Sequence, residues 1–240
     1  MTLPELDILY EEGPCLVICK PGGLLTQAPP HIDSLDARIR GFIKIRDEKP
    51  GRVYLGVPHR LDRPVSGVMV FAKHARAARR LAEQFEGRLV RKIYWAAVEG
   101  KTEQEGVWTD YLAKTPNVAH AEIVPEEHPL AKRAVLRYRR LQYCEKRDVS
   151  WLEIELETGR MHQIRVQTSA RQHAILGDQQ YGSNREFGPR EDDPRARWIA
   201  LHARSLRFRH PMTQEMILQQ APLPEYWREL EWDWPEETFR

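Results

Sequence analysis

In the stretch WLEIELETGR, Leu152, Ile154 and Leu156 alternate with Glu153, Glu155 and Glu157, and the pattern stops at Gly159. A period of two sends successive side chains to opposite faces, so this is a strand with one apolar and one acidic face. Such a strand needs partners, and the chain supplies them in the β-type runs CLVICK, SGVMVFAK and KIYWAAVEG, set off by breakers such as PGG. Two helical patterns interrupt them. Behind the capping residue Ser34, Leu35, Ile39, Phe42 and Ile43 recur at helical spacing, and HARAARRLAEQFEG reads as a helix ending at Gly87. Strands and helices do not alternate strictly, and no glycine-rich phosphate loop follows a strand. The expected fold is therefore α+β, with a mixed, mostly antiparallel sheet and helices on its outer sides.

No repeat or linker divides the 240 residues, so a single domain over 1–240 is expected. With 41% apolar and 30% charged residues the chain reads as globular. No apolar run approaches the roughly 20 residues of a membrane span. The start, MTLPELDILYEEGP, has no basic head followed by an apolar segment, so a cytoplasmic location is expected. Three cysteines, Cys15, Cys19 and Cys144, cannot all pair, and Cys15 and Cys19, in the apolar run CLVICK, read as small core residues.

Net charge is only +2, yet cations gather in RAARR (76–80), RLVRK (88–92), KRAVLRYRR (132–140) and RWIALHARSLRFRH (197–210). Acidic residues gather in a Trp-rich C-terminal segment, 223–240. A basic face of this kind suits a polyanion, and solvated strand and helix faces would look the same. The stretch REFGPREDDPRARW (185–198) has no periodicity and reads as a long loop.

Familiar motifs are missing. HExxH, paired CxxC and two-histidine-plus-acid spacings do not occur, so no metal site is expected. HRLD is similar to a kinase catalytic loop, but it has one residue inserted, and Gly67 stands where a metal-binding Asn is needed. Three segments remain. In HRLDRPVSG, Asp62 lies between Arg60 and Arg63 on a turn with Pro64 and Gly67. In RKIYWAAVEG, Lys92 and Tyr94 share one face of the strand. LETGRMHQIRVQ offers Arg160, His162, Gln163 and Arg165 directly after a strand. Taken singly, each has an ordinary structural explanation: an ion pair, a core tyrosine, a helix start.

In this order, and followed by ILGDQQYG, the segments resemble the RNA pseudouridine synthases of the RluA family, from about Pro14 to about Pro222. The resemblance implies a catalytic domain without a separate N-terminal RNA-binding domain. It also implies isomerisation of uridine in RNA to its carbon-linked form, with no cofactor and a basic cleft across the sheet. The family's essential aspartate maps onto Asp62. One account has it attack the ribose, another the base, and a third has it remove a ribose proton. All three need an ionised carboxylate in a site closed to water, where low dielectric alone would raise its pKa unless a cation stood within about 4 to 6 Å. The family's arginine for that task maps onto Arg165, not onto the sequence neighbours Arg60 and Arg63.

Tyr94 maps onto the family's active-site tyrosine. Flipping a base costs about a few kcal/mol, of which stacking on an aromatic face returns about 1 to 3 kcal/mol. Arg60 corresponds to the arginine that fills the space left by the flipped nucleotide, while His59, Lys92, Arg160, His162 and Gln163 are expected to contact phosphate or shape the cleft. Two positions depart from the family pattern, Val65 for Thr and Gln167 for His. RNA, ribosomal or transfer, is the expected partner; no membrane or protein partner is. Two competing readings are an RNA-binding protein that keeps the fold with little activity, and hydrolytic base release. The second needs another acid to activate water, and Asp178 in ILGDQQYG reads as a turn residue.

Overall fold

A short parallel junction pairs a strand from the first third of the chain with one from the last, and that junction carries the Asp62 turn. In the computed structural model, residues 4–194, 196–235 and 238–239 are described. Parts of the expected N-terminal start, the 185–198 loop and the C-terminal segment thus lie outside the described residues. The strands are β1 (Asp7–Glu12), β2 (Cys15–Lys20), β3 (Ser66–Ala72), β4 (Arg91–Glu99), β5 (Glu105–Lys114), β6 (Ala121–Ile123), β7 (Lys132–Cys144), β8 (Val149–Leu156), β9 (Leu201–Arg209) and β10 (Met216–Gln220). They form a ten-stranded sheet in the order β1-β2-β3-β9-β4-β8-β7-β5-β6, with β10 also paired to β9. The β3–β9 pair is parallel and the other ladders are antiparallel, the mixed α+β sheet expected. Among the described residues three α-helices accompany it: α1 (Leu35–Arg46), α2 (Ala75–Glu86) and α3 (Gln163–Ser169). None of the described helices is long and apolar enough to cross a membrane.

Local chemistry explains these elements. In β8, Leu152 and Ile154 are fully buried. On the opposite face Glu153, Glu155 and Glu157 pair with Arg139 (3.1 Å), Arg91 (2.9 Å) and Arg137 (2.7 Å). Much of the charge in KRAVLRYRR is thus neutralised across strands, which removes Arg137 and Arg139 from the uncompensated basic surface. In α1, Ser34 Oγ accepts the Ala37 N–H, and Leu35, Ile39 and Ile43 are buried, while Phe42 is half-buried under Arg46. In α2, His74 Nδ1 accepts the Ala77 N–H and Gly87 is the C-cap.

The parallel junction consists of Ser66 opposite His202 and Gly67 opposite Ala203. Gly67 has φ +120°, and a Cβ there would lie 2.3 Å from the Ala203 carbonyl oxygen. Ser66 Oγ lies 2.8 Å from His202 Nδ1, and His202 Nε2 lies 3.2 Å from the Ala221 carbonyl. Burial pushes His202 down to about 3, so it is neutral: Nε2–H donates to Ala221 and Nδ1 accepts from Ser66. Gly67→Ala combines backbone strain with backbone overlap and is expected to destabilise by at least about 2 kcal/mol, read as a lower urea midpoint. An unchanged midpoint would mean that β9 can move away from β3.

The Trp-rich C-terminal segment is structural. Trp232 and Trp234 lie 5.4 and 4.7 Å from Trp151 of β8, which also meets Trp95 edge-on at 4.9 Å. Some of the segment's acids are paired on the surface, Glu225 with Arg228 and Glu231 with Arg147. The 185–198 stretch has no regular structure among its described residues, but buried Phe187 pins it against Tyr226 and Trp227. Cys15 is buried in β2, and Cys19 and Cys144 are half-buried.

Candidate active site

The backbone on either side of Asp62 is held before the side chain is considered. Thr26 Oγ1 donates to the Leu61 carbonyl (2.8 Å) and accepts the Leu61 N–H (3.3 Å). Lys20 Nζ donates to the carbonyls of Pro21 (2.8 Å), Leu24 (2.7 Å) and Arg63 (3.2 Å). The Val65 N–H closes a turn on the Asp62 carbonyl at 3.1 Å. Lys20 is fully buried, so its ammonium ties two loops together from behind the carboxylate.

Burial pushes Lys20 down to about 7, against the opposing pull of Asp62. The unfolded chain binds a proton here that the folded chain gives up between pH 7 and about 10.4. Stability from this group therefore rises with pH across that window and is level below it, where folded and unfolded chains both hold the proton. The stability difference between wild type and Lys20→Met is expected to shift in favour of wild type from pH 7 to 10, read by urea unfolding. A pH-independent difference would contradict a depressed Lys20.

Asp62 is about a third exposed, and its Oδ2 faces two groups, Arg165 Nη1 at 3.4 Å and His162 Nε2 at 3.7 Å. Arg165 is nearly fully buried. Its Nε and Nη2 make a two-pronged pair with Asp178 (2.6 and 2.8 Å), Nη2 also donates to Gln180 Oε1 (2.9 Å), and the guanidinium lies 4.8 Å from the Tyr181 ring centre. Burial opposes the charge on Arg165, but Asp178, with Asp62 adding to it, holds the guanidinium above its ordinary value. Asp62 thus takes the remaining corner of a cation already fixed by another acid.

That arrangement corrects the expectation for Asp178. It does begin the short 3-10 turn Gln179–Tyr181, but it is also a buried carboxylate holding Arg165. Both its oxygens face the guanidinium, which leaves it badly placed to activate a water. The sequence neighbours do not pair with Asp62: Arg63 donates to the Gly23 carbonyl (2.9 Å) and pairs with Asp193 (3.3 Å), and Arg60 is exposed.

Two clefts meet at Arg60, Asp62, His162 and Arg165. One, of about 550 Å³, is lined by Tyr94, Lys92, Arg88, Arg160 and Ile164. The other, of about 790 Å³, is lined by Gln27, Arg63, Gln179 and Arg197. Lys92 and Tyr94 lie two apart on β4 and line the same cleft. Burial, with the nearby charge of Asp62 adding to it, raises the Tyr94 phenol well above its ordinary value, so it stays neutral. Burial, and then Arg88, lower Lys92, and a Cβ at Gly159 would lie 3.6 Å from its Nζ.

The remaining expected residues divide. His59 Nε2 accepts the Val70 N–H (3.0 Å), its ring stacks on Phe85 at 4.4 Å, and burial pushes it down to about 3. A neutral, occupied imidazole braces the wall of the cleft and offers no charge to phosphate. Gln163 is committed inward: Oε1 accepts from Thr158 Oγ1 (2.8 Å) and the Arg160 N–H (3.0 Å), and Nε2 donates to Gln167 (3.0 Å). Gln167, a departure from the family pattern, continues this chain to Asp110 at 2.6 Å. Val65, the other departure, is core. Arg160 donates to the Arg133 carbonyl (2.9 Å) and lines the cleft.

Lys20, Thr26, Asp178 and Tyr181 complete the site without having been assigned to it from the sequence. A lysine ending the apolar run CLVICK was the available signal for the first. For the last two, the signal was the motif ILGDQQYG itself.

The family described as RNA pseudouridylate synthase matches residues 14–170. The chain is 31% identical to the tRNA pseudouridine synthase C of Vibrio parahaemolyticus, covering 100% of both chains. It is 32% identical to an uncharacterized RNA pseudouridine synthase of Bacillus subtilis, over 92% of this chain and 69% of that one. Among solved structures, human RNA pseudouridylate synthase domain containing 4 superposes with a TM-score of 0.74 at 24% identity, over 92% of this chain and 89% of that one. From matches of this extent, the chain belongs to the RNA pseudouridylate synthase family and isomerises uridine in RNA to pseudouridine.

Proposed function

We propose that the RNA is a transfer RNA and that Asp62 is the essential carboxylate of the isomerisation. The observation that carries the catalytic half is the ion pair of Asp62 with Arg165 where two clefts meet, with the neutral phenol of Tyr94 lining one of them. A buried cation lets a carboxylate stay ionised in a site that substrate closes to water. Support for the RNA class comes from relatives named tRNA pseudouridine synthase C, matched over nearly their whole length.

In this reading the RNA backbone lies along Arg60, Arg88, Lys92 and Arg160, and one uridine leaves the helix for the cleft beside Tyr94. Tyr94 stacks on the base, and Arg60, exposed at the meeting of the clefts, occupies the gap. Asp62 drives detachment of the base. The base turns and rejoins the ribose through carbon 5, and the carbon 5 proton is then lost.

Pseudouridine per molecule, measured in transfer and ribosomal RNA fractions from cells with and without the gene, tests the RNA class. A deficit in the transfer RNA fraction is expected; a deficit confined to ribosomal RNA would overturn it. Four backbone cations also set a salt dependence: log affinity is expected to fall against log salt with a slope of about −3 to −4, measured by filter binding. A slope near zero would exclude that path for the backbone.

A further inference from the structure

We propose that His162 and Tyr181 form a positioning pair that gives the two oxygens of Asp62 different tasks, the protein holding Oδ2 and leaving Oδ1 to the uridine. The inference rests on the reading of Asp62 as the essential carboxylate. Both protein groups nearest the carboxylate, Arg165 Nη1 and His162 Nε2, face Oδ2, and none of the described residues donates to Oδ1. Oδ2 is therefore anchored by a fixed cation on one side and a ring nitrogen on the other.

Whether that nitrogen holds or repels the carboxylate depends on the tautomer, and Tyr181 sets it. The Tyr181 hydroxyl accepts the Ala121 N–H at 3.0 Å, so its own proton is free to be donated. His162 Nδ1 lies 2.7 Å away and the Ala121 carbonyl 3.3 Å, which makes Nδ1 the better acceptor. A neutral imidazole that accepts at Nδ1 carries its proton on Nε2, aimed at Asp62. The opposite tautomer would turn a lone pair toward the carboxylate. The separation of 3.7 Å is long for a hydrogen bond, as such contacts are before substrate draws the groups together.

The surroundings keep the ring neutral and in place. Burial holds His162 below its ordinary value and Arg165 and His120 add to this, while Asp62 and Asp178 pull the other way. Tyr181 is itself fixed: His120 stacks on it at 4.8 Å and the Arg165 guanidinium lies 4.8 Å from its ring centre. His162 adopts the left-handed region at φ +51°, an uncommon conformation for a residue other than glycine, at the residue preceding α3. Backbone held in such a region at a site is a means of aiming a side chain.

The test separates donor from scaffold. Asn tolerates the left-handed backbone and can keep a polar contact with Tyr181, but it is too short to reach Asp62. Gln can place an amide N–H near the Nε2 position. His162→Asn is expected to slow single-turnover tritium release by about 10- to 100-fold at saturating RNA, with RNA affinity and melting temperature unchanged. His162→Gln is expected to recover most of that loss. In Tyr181→Phe the tautomer is free, so its deficit is largest near neutral pH and shrinks toward acid pH, where an imidazolium carries Nε2–H in any case. Equal losses in the Asn and Gln variants, or a loss confined to RNA affinity, would overturn the assignment.

A second readout does not depend on activity. Nitrogen-detected histidine NMR of the free protein is expected to show His162 protonated on Nε2, with that signal shifting in Asp62→Asn. Protonation on Nδ1 instead, or no shift, would overturn the pairing. If wild type released no tritium while these spectra held, the reading of Asp62 as the essential carboxylate would fail and the pairing would stand.

Discussion

Asp62→Asn is expected to bind RNA as tightly as wild type and to form pseudouridine on the order of 10⁴-fold more slowly, the upper end of what one positioned acid–base group contributes. The substitution keeps the shape of the side chain and one acceptor oxygen, exchanges the other oxygen for an amide donor, and removes the charge. The backbone there is fixed by Thr26 and Lys20 whatever side chain is present, so the turn holds. Arg165 keeps its two-pronged pair with Asp178, so the guanidinium stays in place. What is lost is the negative oxygen at the meeting of the clefts. Single-turnover assays with saturating enzyme, together with filter binding, separate the two effects. A variant that bound poorly but reacted at the wild-type rate would assign Asp62 to binding.

The second large effect falls on stability. Asp178→Ala removes the acid that holds both prongs of Arg165 and leaves a nearly fully buried cation with the 3.4 Å contact to Asp62, its link to Gln180 and the face of Tyr181. Breaking a buried pair by removing one partner costs about 3 to 5 kcal/mol. Arg165→Ala, which strands Asp178, is expected to cost a similar amount. The double variant Arg165→Met with Asp178→Leu exchanges the pair for apolar groups of similar length. It is expected to recover much of the stability and none of the activity, because Asp62 then has no cation. Urea unfolding of the three variants reads this directly. If each single variant cost less than about 1 kcal/mol, the pair would be a solvated contact and the account of a fixed cation would fail.

The sequence was most informative where periodicity and caps are local. The alternation in β8, the cap at Ser34 and the stop at Gly87 each report backbone geometry within a few residues, and the elements lie where those signals put them. The β3–β9 junction was not legible, because nothing near Ser66 in the chain says that residue 202 lies beside it. The same holds for the basic stretches. KRAVLRYRR reads as a polyanion surface until β8 brings Glu153 and Glu157 across from Arg139 and Arg137.

At the site, motif residues converge on one cleft, but their tasks depend on partners distant in sequence. Gln163 looks like a ligand group and is used up by Thr158, Arg160 and Gln167. Asp178 looks like a turn residue and also fixes the cation. Lys20 looks like the polar end of a strand and holds the carbonyl next to Asp62 from 43 residues away. Burial decides all three, and burial of a polar group is a property of the fold.

The most direct test is tritium release from transfer RNA labelled at carbon 5 of uridine, taken from cells lacking the gene and mixed with excess wild-type protein. Rejoining the base through carbon 5 must expel that hydrogen, so release is expected to reach a plateau of about one equivalent per modified site, with none from Asp62→Asn. RNA that binds tightly and releases no tritium would contradict the account at its centre.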